Sequence, residues 1–192
     1  MISLRMKASA TALPGVLILE PRVFEDPRGS FYESFRVDTL RALGISCAFV
    51  QENNSVSSRG VLRGLHYQRV RSQDKLVRVL HGEIYDVAVD VRRGSPTFGK
   101  WSAERLSAAN RKQMFIPAGF AHGFLVLSDW AECLYKCSDY YAPEQERGIL
   151  WNDPALGIGW PLDGLTPQLK PRDEAFPRLA DAPAVDLPPY AP

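Results

Sequence analysis

The sequence lacks any long hydrophobic run, and its apolar stretches fall well short of the roughly 20 residues that span a bilayer. Residues 1–15 contain no apolar segment of the kind that a secretory signal carries. They also contain too few basic residues for a transit peptide. We therefore expect a cytoplasmic protein that has no membrane partner.

Cysteine is also scarce, with three residues in a chain of 192. Cys133 and Cys137 are four residues apart, but no second pair completes the set of four that a structural zinc ion needs. Reduced and buried thiols are the simpler interpretation. They favour a reducing compartment, in agreement with a cytoplasmic location.

An excess of either charge is missing, because 23 basic and 22 acidic residues leave a formal net charge of +1. A dedicated nucleic-acid binder normally has a basic excess, so we exclude nucleic acid as a partner. The basic residues are uneven, since 17 are Arg and 6 are Lys. A guanidinium can fork across two phosphate or carboxylate oxygens, so a few arginines in one pocket could hold an anionic substrate.

Short β segments fill most of the chain and are separated by Gly and Pro turns. The predicted strands are 16–20, 30–36, 47–51, 60–68, 76–80, 83–91, 101–106, 112–116, 122–127 and 132–138. Helical spacing is limited to 37–43, which Gly44 follows, and to 143–149. The turn at His81-Gly82 predicts a hairpin of its two flanking strands, and the polar stretch 53–59 predicts a loop. This spacing is typical of an all-β sandwich or barrel.

Proline is concentrated in the last part of the chain, where 8 of the 15 prolines lie at or after Pro161. Such a segment cannot supply central strands, because proline has no N–H for a strand ladder. We expect one domain over residues 1–192, with a barrel core over about 14–150. The C-terminal arm, residues 151–192, is expected to wrap the barrel in an extended form and to end in about ten loose residues.

The three histidines are the first candidates for chemistry. His81 lies in a predicted turn and is expected to be structural or exposed. His66 lies in the segment RGLHYQ, where strand alternation places His66 and Gln68 on one face and Arg63 on the other. A single strand histidine is more often a satisfied core residue than a functional one.

His122 ends a Pro-x-Gly-x-x-His run that precedes an apolar strand, which is also the second sequence motif of the cupin barrels. Metal-binding cupins have a His-x-His in their first motif, and this chain has Gln68 in place of the second histidine. A metal site built from His66, His122 and Glu83 is an open alternative, although it has few ligands.

Tyr135 and Lys75 complete the candidates from residue chemistry alone. A phenol that faces an imidazole across a barrel could donate a proton from the side opposite the base. An inward-facing Lys75 could stabilise an oxyanion. The simpler alternatives are a core tyrosine and a surface lysine.

Eight motifs, taken in order, give the chain a resemblance to the dTDP-4-dehydrorhamnose 3,5-epimerase family. The motifs are DPRG (26–29), QENNS (51–55), GVLRGLHYQ (60–68), KLVR (75–78), DVAVD (86–90), SPTFG (95–99), IPAGFAHGF (116–124) and WNDP (151–154). Each motif alone is weak, but the ordered set is specific and extends over about residues 14–173. The resemblance implies a cupin-type double-stranded β-helix, or jelly-roll barrel, with a few short helices, in a homodimer that needs no metal or other cofactor.

The resemblance also implies a reaction and a set of catalytic residues. The reaction is inversion of dTDP-4-dehydro-6-deoxy-D-glucose at C3 and C5 through enolates, which gives dTDP-4-dehydro-L-rhamnose in dTDP-L-rhamnose biosynthesis. By the resemblance, His66 is the base, and Asp173 is the carboxylate that pairs with it. Tyr135 is the acid on the opposite face of the sugar, and Lys75 stabilises the enolate oxygen.

A second set of residues matches the family's contacts with the nucleotide sugar. The set is Arg28, Glu33, Gln51, Asn53, Arg63, Lys75, His122, Glu146 and Arg172. Residues near Arg28 and Glu33 are implied to reach the active site of the partner subunit. The chain departs from the family at Arg172, where lysine is common, and in a short loop over 69–74.

Three other functions are compatible with the sequence. The nearest is a mono-epimerase that acts at C3 or C5 only, because such enzymes share the fold and the His–Tyr pair. The others are a metal-dependent cupin enzyme and a sugar-binding cupin without catalysis.

Overall fold

The computed structural model describes residues 6–190, and most of their regular structure is β-strand. The strands are β1 (Met6–Ala10), β2 (Leu17–Pro21), β3 (Val23–Asp26), β4 (Gly29–Tyr32), β5 (Gln51–Ser58), β6 (Leu62–Gln68), β7 (Lys75–His81), β8 (Glu83–Asp90), β9 (Trp101–Ser107), β10 (Gln113–Ile116), β11 (Phe120–Val126), β12 (Trp130–Cys137) and β13 (Glu146–Gly148). The α-helices are α1 (Val37–Ala42) and α2 (Pro171–Glu174), and 3₁₀ turns cover Pro143–Gln145 and Leu179–Asp181. No helix within residues 6–190 has the length and apolar character to cross a membrane.

Two large antiparallel sheets form the body of the protein. One has the strand order β1-β2-β10-β7-β12-β5, and the other has the order β13-β6-β11-β8-β9. The strands β3 and β4 form a separate hairpin, and the DPRG motif at 26–29 forms its turn. The all-β prediction is confirmed, and the architecture is the jelly-roll arrangement of the cupin-like proteins.

The main core lies between the two large sheets. Val77 and Met114 of the six-stranded sheet pack with Ile84, Leu106 and Phe124 of the five-stranded sheet, and all are buried. This arrangement follows from the alternation of the strands, which turns one apolar face of each sheet inward. The two sheets are thereby held face to face, with room for a cavity where their inward side chains are polar.

The outer face of the five-stranded sheet is covered by the C-terminal arm. Val87 and Val89 of β8 pack against Leu156, Leu179 and Leu187 of the arm. Burial on both faces explains why β8 reads as a nearly continuous apolar strand. The segment around α1 covers the six-stranded sheet in the same way, through a separate apolar cluster.

The arm is more firmly bound than the sequence indicated. The Arg93 N–H donates to the Pro188 carbonyl at 2.8 Å, and the Tyr190 N–H donates to the Arg93 carbonyl at 3.0 Å. Leu187 is also buried. The expectation of about ten loose terminal residues is therefore wrong as far as residue 190.

The predicted hairpin around His81-Gly82 is also wrong. β7 pairs with β10 and β12 in one sheet, whereas β8 pairs with β9 and β11 in the other. Gly82 has a φ of +77°, and an added Cβ there would collide with the carbonyl oxygen of Trp130. The turn therefore carries the chain from one sheet into the other, which a pattern of local polarity does not reveal.

Three further segments differ from the predictions. The polar stretch 53–59 was expected to be a loop but lies mostly in β5, whereas 47–51 is strand only at its last residue. The stretch 143–149 forms a 3₁₀ turn and then β13 instead of a helix. β5 was missed because the face that it turns toward the cavity is polar, so the usual apolar alternation is absent.

Candidate active site

A cavity of about 540 Å³ is lined by both large sheets and by the C-terminal arm. Ten of the twelve predicted site residues line it, which are Gln51, Asn53, Arg63, His66, Lys75, His122, Tyr135, Glu146, Arg172 and Asp173. Arg28 and Glu33 are not among its lining residues.

His66 contacts Asp173 inside this cavity. The His66 Nε2 atom lies 3.0 Å from the Asp173 Oδ1 atom. The other carboxylate oxygen of Asp173 accepts the Gly64 N–H at 3.4 Å. Burial raises the pKa of the Asp173 carboxyl, but the contacts with His66, the Gly64 N–H and Arg172 outweigh burial and hold it below its ordinary value.

The C-terminal arm brings Asp173 to this position. Pro171 occupies the first turn of α2, where its fixed φ suits a helix start and its missing N–H costs nothing. This short turn points Asp173 inward, and only 2% of the residue is exposed. A carboxylate with so little access to water stays charged because its partners are placed around it.

A second histidine–carboxylate pair lies next to the first. His122 on β11 is paired with His66 across the strands, and its Nε2 atom lies 2.7 Å from the Asp86 Oδ1 atom of β8. Asp86 is fully buried. Asp86 was not assigned from the sequence, although an acidic residue inside an apolar strand indicates a buried carboxylate that needs a partner.

Tyr135 and Lys75 enter the cavity from the opposite, six-stranded sheet. Tyr135 belongs to β12, and Lys75 begins β7 opposite Cys137 of β12. Burial raises the pKa of the Tyr135 phenol, so the phenol holds its proton at neutral pH. Burial also lowers the pKa of the Lys75 ammonium, against the opposing effect of Cys137 and Glu146.

Arg63 faces the same cavity as His66, which corrects the prediction from strand alternation. The pairing of β6 with β11 shifts by one position between His122 and Phe124, so a bulge interrupts the alternation between Arg63 and His66. At Gly64 the backbone φ is +125°, and an added Cβ would lie 2.5 Å from the Gly123 Cα. The Arg63 guanidinium donates to the Ser57 hydroxyl at 3.0 and 3.1 Å.

The inward face of β5 adds amide groups to the cavity. The Gln51 side-chain N–H donates to the Asn53 side-chain oxygen at 3.0 Å. The Gln51 side-chain oxygen accepts the Tyr141 backbone N–H at 2.8 Å. These amides give the cavity wall neutral donors and acceptors of the kind that fit hydroxyl and carbonyl groups of a ligand.

Glu146 joins the mouth of the cavity to the catalytic candidates. The Tyr141 hydroxyl donates to Glu146 Oε2 at 2.8 Å, and the Arg172 guanidinium contacts the same oxygen at 2.5 Å. Arg172 Nε lies 3.5 Å from the Asp173 carboxylate. Burial raises the pKa of Glu146, but the bonds from Arg172 and Tyr141 outweigh it and keep that pKa low. Tyr141 was missed in the sequence, where it was only one of two adjacent aromatic residues.

His66 and His122 are neighbours in the cavity, but Glu83, the third residue of the metal-site alternative, does not join them. Gln68 uses its side chain to bind backbone, since its oxygen accepts the Ala142 N–H and its N–H donates to the Arg71 carbonyl, both at 2.7 Å. Glu83 pairs with Arg105 at 2.7 Å and does not line the cavity. Over residues 6–190, no group of three or more His, Cys, Asp or Glu side chains is placed to hold a metal ion.

Arg28 and Glu33 lie on or beside the β3–β4 hairpin, away from the cavity of their own chain. The Arg28 side chain is 90% exposed and pairs with Asp26 at 2.6 Å. On the same hairpin, Phe31 is 65% exposed and Phe24 is 41% exposed. The hairpin thus presents two large apolar side chains next to a charged group.

The fold and the cavity together define a cupin-type barrel whose cavity is lined by histidine, carboxylate, tyrosine, lysine and arginine side chains. The family model described as dTDP-4-dehydrorhamnose 3,5-epimerase matches residues 10–181. The chain belongs to this family.

Two similar proteins cover nearly the whole chain. The dTDP-4-dehydrorhamnose 3,5-epimerase of Pseudomonas aeruginosa is 58% identical over 92% of this chain and 98% of its own. A crystal structure of dTDP-6-deoxy-D-glucose-3,5-epimerase from Legionella pneumophila, in complex with dTDP-4-keto-L-rhamnose, is 51% identical. The match has a TM-score of 0.94 and covers 97% of this chain and 100% of the other.

A third similar protein has a narrower activity. ChmJ from Streptomyces bikiniensis, described as a 3′-monoepimerase and solved in complex with dTDP-quinovose, is 40% identical with a TM-score of 0.83. The match covers 88% of this chain and 86% of ChmJ. The shared fold therefore includes enzymes that invert one carbon as well as enzymes that invert two.

Proposed function

We propose that this chain converts dTDP-4-dehydro-6-deoxy-D-glucose to dTDP-4-dehydro-L-rhamnose by inversion at C3 and C5. The observation that carries the proposal is the pair of proton-transfer groups in one cavity, with His66 on one large sheet and Tyr135 on the other. Inversion needs a base and an acid on opposite faces of the sugar, because a base that returns its own proton restores the starting stereochemistry.

In each half of the reaction, His66 takes the proton from a carbon next to the C4 ketone. The C–H electron pair moves into the ring, and the charge collects on the C4 oxygen as an enolate. The Tyr135 hydroxyl then gives its proton to the same carbon from the other face, and both groups recover their protonation through solvent. Since the ketone already acidifies both neighbouring carbons, we expect the reaction to need no metal or redox cofactor.

Asp173 and Lys75 support this transfer electrostatically. The Asp173 carboxylate, with its low pKa, stays charged and stabilises the imidazolium that forms when His66 takes a proton. The Lys75 ammonium has no hydrogen-bond or ion-pair partner within residues 6–190, so it is available to the enolate oxygen. Removal from water strengthens the attraction between these charges.

The nucleotide is held by the charged groups around the cavity. Arg63 and Arg172 can each fork across two oxygens of a diphosphate, and together they compensate its charge. Gln51, Asn53 and His122 supply further polar contacts. The bound dTDP-sugars in the Legionella and Streptomyces relatives support a dTDP-sugar as the substrate of this chain as well.

We also propose a homodimer in which the β3–β4 hairpin reaches the cavity of the partner subunit. Exposed Phe24 and Phe31 would be covered by that contact, and Arg28 and Glu33 would contribute to the partner's site. The three free cysteines support a reducing compartment and hence a cytoplasmic location.

The experiment that tests the function is product analysis with dTDP-4-dehydro-6-deoxy-D-glucose, with and without a downstream reductase. We expect a product with L-rhamnose configuration, trapped by the reductase as dTDP-L-rhamnose. The second candidate function is mono-epimerisation, which is supported by the similarity to the 3′-monoepimerase ChmJ. A product that is inverted at one carbon only would favour that candidate. Parallel assays with the UDP-sugar test the preference for thymidine.

A further inference from the structure

Phe176, two residues after α2, contacts the imidazole of His66. The two ring centroids are 5.6 Å apart, and the ring planes meet at 76°, an edge-to-face arrangement. The Asp173 carboxylate contacts the Nε2 atom of the same imidazole. His66 is therefore held by two groups from one short stretch of the C-terminal arm, one through charge and one through packing.

Gly148 makes room for this aromatic ring. It lies opposite His66 in the pairing of β13 with β6, and an added Cβ would overlap the Phe176 ring. The φ of Gly148 is not in the left-handed region, so its backbone conformation does not require glycine. The close approach of the ring is what excludes a side chain at this position.

The backbone on both sides keeps the ring in this place. The Leu150 N–H donates to the Pro177 carbonyl at 2.8 Å, and the Ile149 N–H donates to the Leu65 carbonyl at 3.0 Å. These bonds join the residue after Phe176 to the two residues that follow β13, and join those two residues to β6 beside His66. The Arg172 guanidinium also lies 5.7 Å from the centroid of the Phe176 ring. Arg172 is itself held by its ion pair with Glu146.

We propose that Phe176 is a positioning residue that fixes the orientation of His66, and that Gly148 is required because it leaves space for the Phe176 ring. The inference rests on the proposed function and adds to it. A base must be aimed at the C–H bond that it breaks, and a small error in its position reduces the rate strongly. Neither residue is assigned a contact with the substrate.

The test compares Phe176→Leu and Gly148→Ala with the wild type in four measurements: kcat, KM, the affinity for dTDP and the rate of deuterium incorporation from heavy water. We expect kcat and the incorporation rate to fall together by about tenfold or more in each variant. KM and the dTDP affinity should change by less than about twofold, because Phe176 contacts Arg172 alone among the groups assigned to the nucleotide, and Arg172 keeps its bond to Glu146.

Matched controls separate positioning from general damage. Gly159→Ala is the control glycine, because it too lacks a left-handed φ and no atom lies within 4 Å of an added Cβ. It should leave kcat unchanged. The double variant Phe176→Leu with Gly148→Ala should be about as slow as Phe176→Leu alone, because both changes disturb one contact. Thermal unfolding of each variant shows whether a lost rate reflects lost folded protein.

Unchanged kcat in Phe176→Leu, or a loss explained wholly by weaker dTDP binding or by unfolding, would overturn the positioning role. A harmless Gly148→Ala would overturn the spatial argument. If Phe176→Leu does not fold, Phe176→Met supplies the same comparison with a flexible apolar side chain. Absence of deuterium incorporation in the wild type would contradict the proposed function itself, so the two failures are distinguishable.

Discussion

His66 and His122 lie opposite each other on the neighbouring strands β6 and β11, and their imidazoles contact different carboxylates. The His122 side chain is 9% exposed and is hydrogen-bonded to the fully buried Asp86. The His66 side chain is 22% exposed, and its partner carboxylate, Asp173, comes from the packed C-terminal arm. The greater access of His66 to the cavity favours it as the base, whereas His122 is fixed in the wall.

This difference predicts distinct effects for two matched substitutions. His66→Asn should lower kcat by about 10²–10⁴-fold and stop deuterium incorporation, because the proton acceptor is lost. His122→Asn should mainly raise KM and leave measurable incorporation, because a wall contact is lost. The measurement is steady-state kinetics with mass spectrometry of recovered sugar. Equal loss of incorporation in both variants would contradict the assignment of His66 as the base.

Tyr135→Phe separates proton removal from proton return. The variant should lose net epimerisation but retain some exchange of sugar protons with heavy water, because abstraction by His66 does not need the phenol. Nuclear magnetic resonance of the recovered keto sugar reports label and configuration together. A variant that still epimerises at the wild-type rate would show that another group is the acid.

Asp173→Asn tests the charge of the His66 partner through stability. Because the pKa of Asp173 is held below its ordinary value, its charged contacts stabilise the fold above the unfolded-state pKa of about 3.9. The stabilisation is lost as the pH falls through the lower, folded value. We expect the wild type to exceed Asp173→Asn by about 1.5–3 kcal/mol in free energy of unfolding at neutral pH. Denaturant melts should show this gap narrowing below about pH 4; a gap independent of pH would be contrary to a charge effect.

Subunit mixing tests whether the hairpin contributes to the partner's site. Arg28→Ala and His66→Asn should each be nearly inactive as separate proteins. After subunit exchange, half of the dimers carry one intact site, so an equal mixture should recover up to about a quarter of wild-type turnover. No recovery in mixtures that sedimentation and tagged pull-down show to contain mixed dimers would rule out the shared site.

Much of the fold was predictable from local patterns, whereas most of the site residues were implied by the resemblance to the epimerase family. Apolar alternation marked most strands, and a glycine with φ of +87°, Gly44, ends α1 as predicted. His66 and Lys75, which were identified by their motifs, both line the cavity. Asp173 was the hardest residue to assign from the resemblance, because it lies in the proline-rich arm. The structure places it in contact with His66.

The errors arose where distant packing overrides local pattern. The stretch 53–59 was taken for a loop because the inward side chains of β5 there, Asn53 and Ser55, are polar and line the cavity. Arg63 was assigned to the wrong face because the bulge in β6 depends on its pairing with β11. Asp86 was not assigned because its histidine partner is 36 residues away in sequence. None of these contacts leaves a periodic signal in the chain itself.

The proposed reaction exchanges protons at two carbons of a dTDP-4-keto sugar in one cavity, with inversion at both. The most direct measurement is incubation of the wild-type protein with dTDP-4-dehydro-6-deoxy-D-glucose in heavy water, followed by nuclear magnetic resonance of the product. We expect deuterium at both C3 and C5, with both centres inverted. Deuterium at one carbon alone, or at neither, would contradict it.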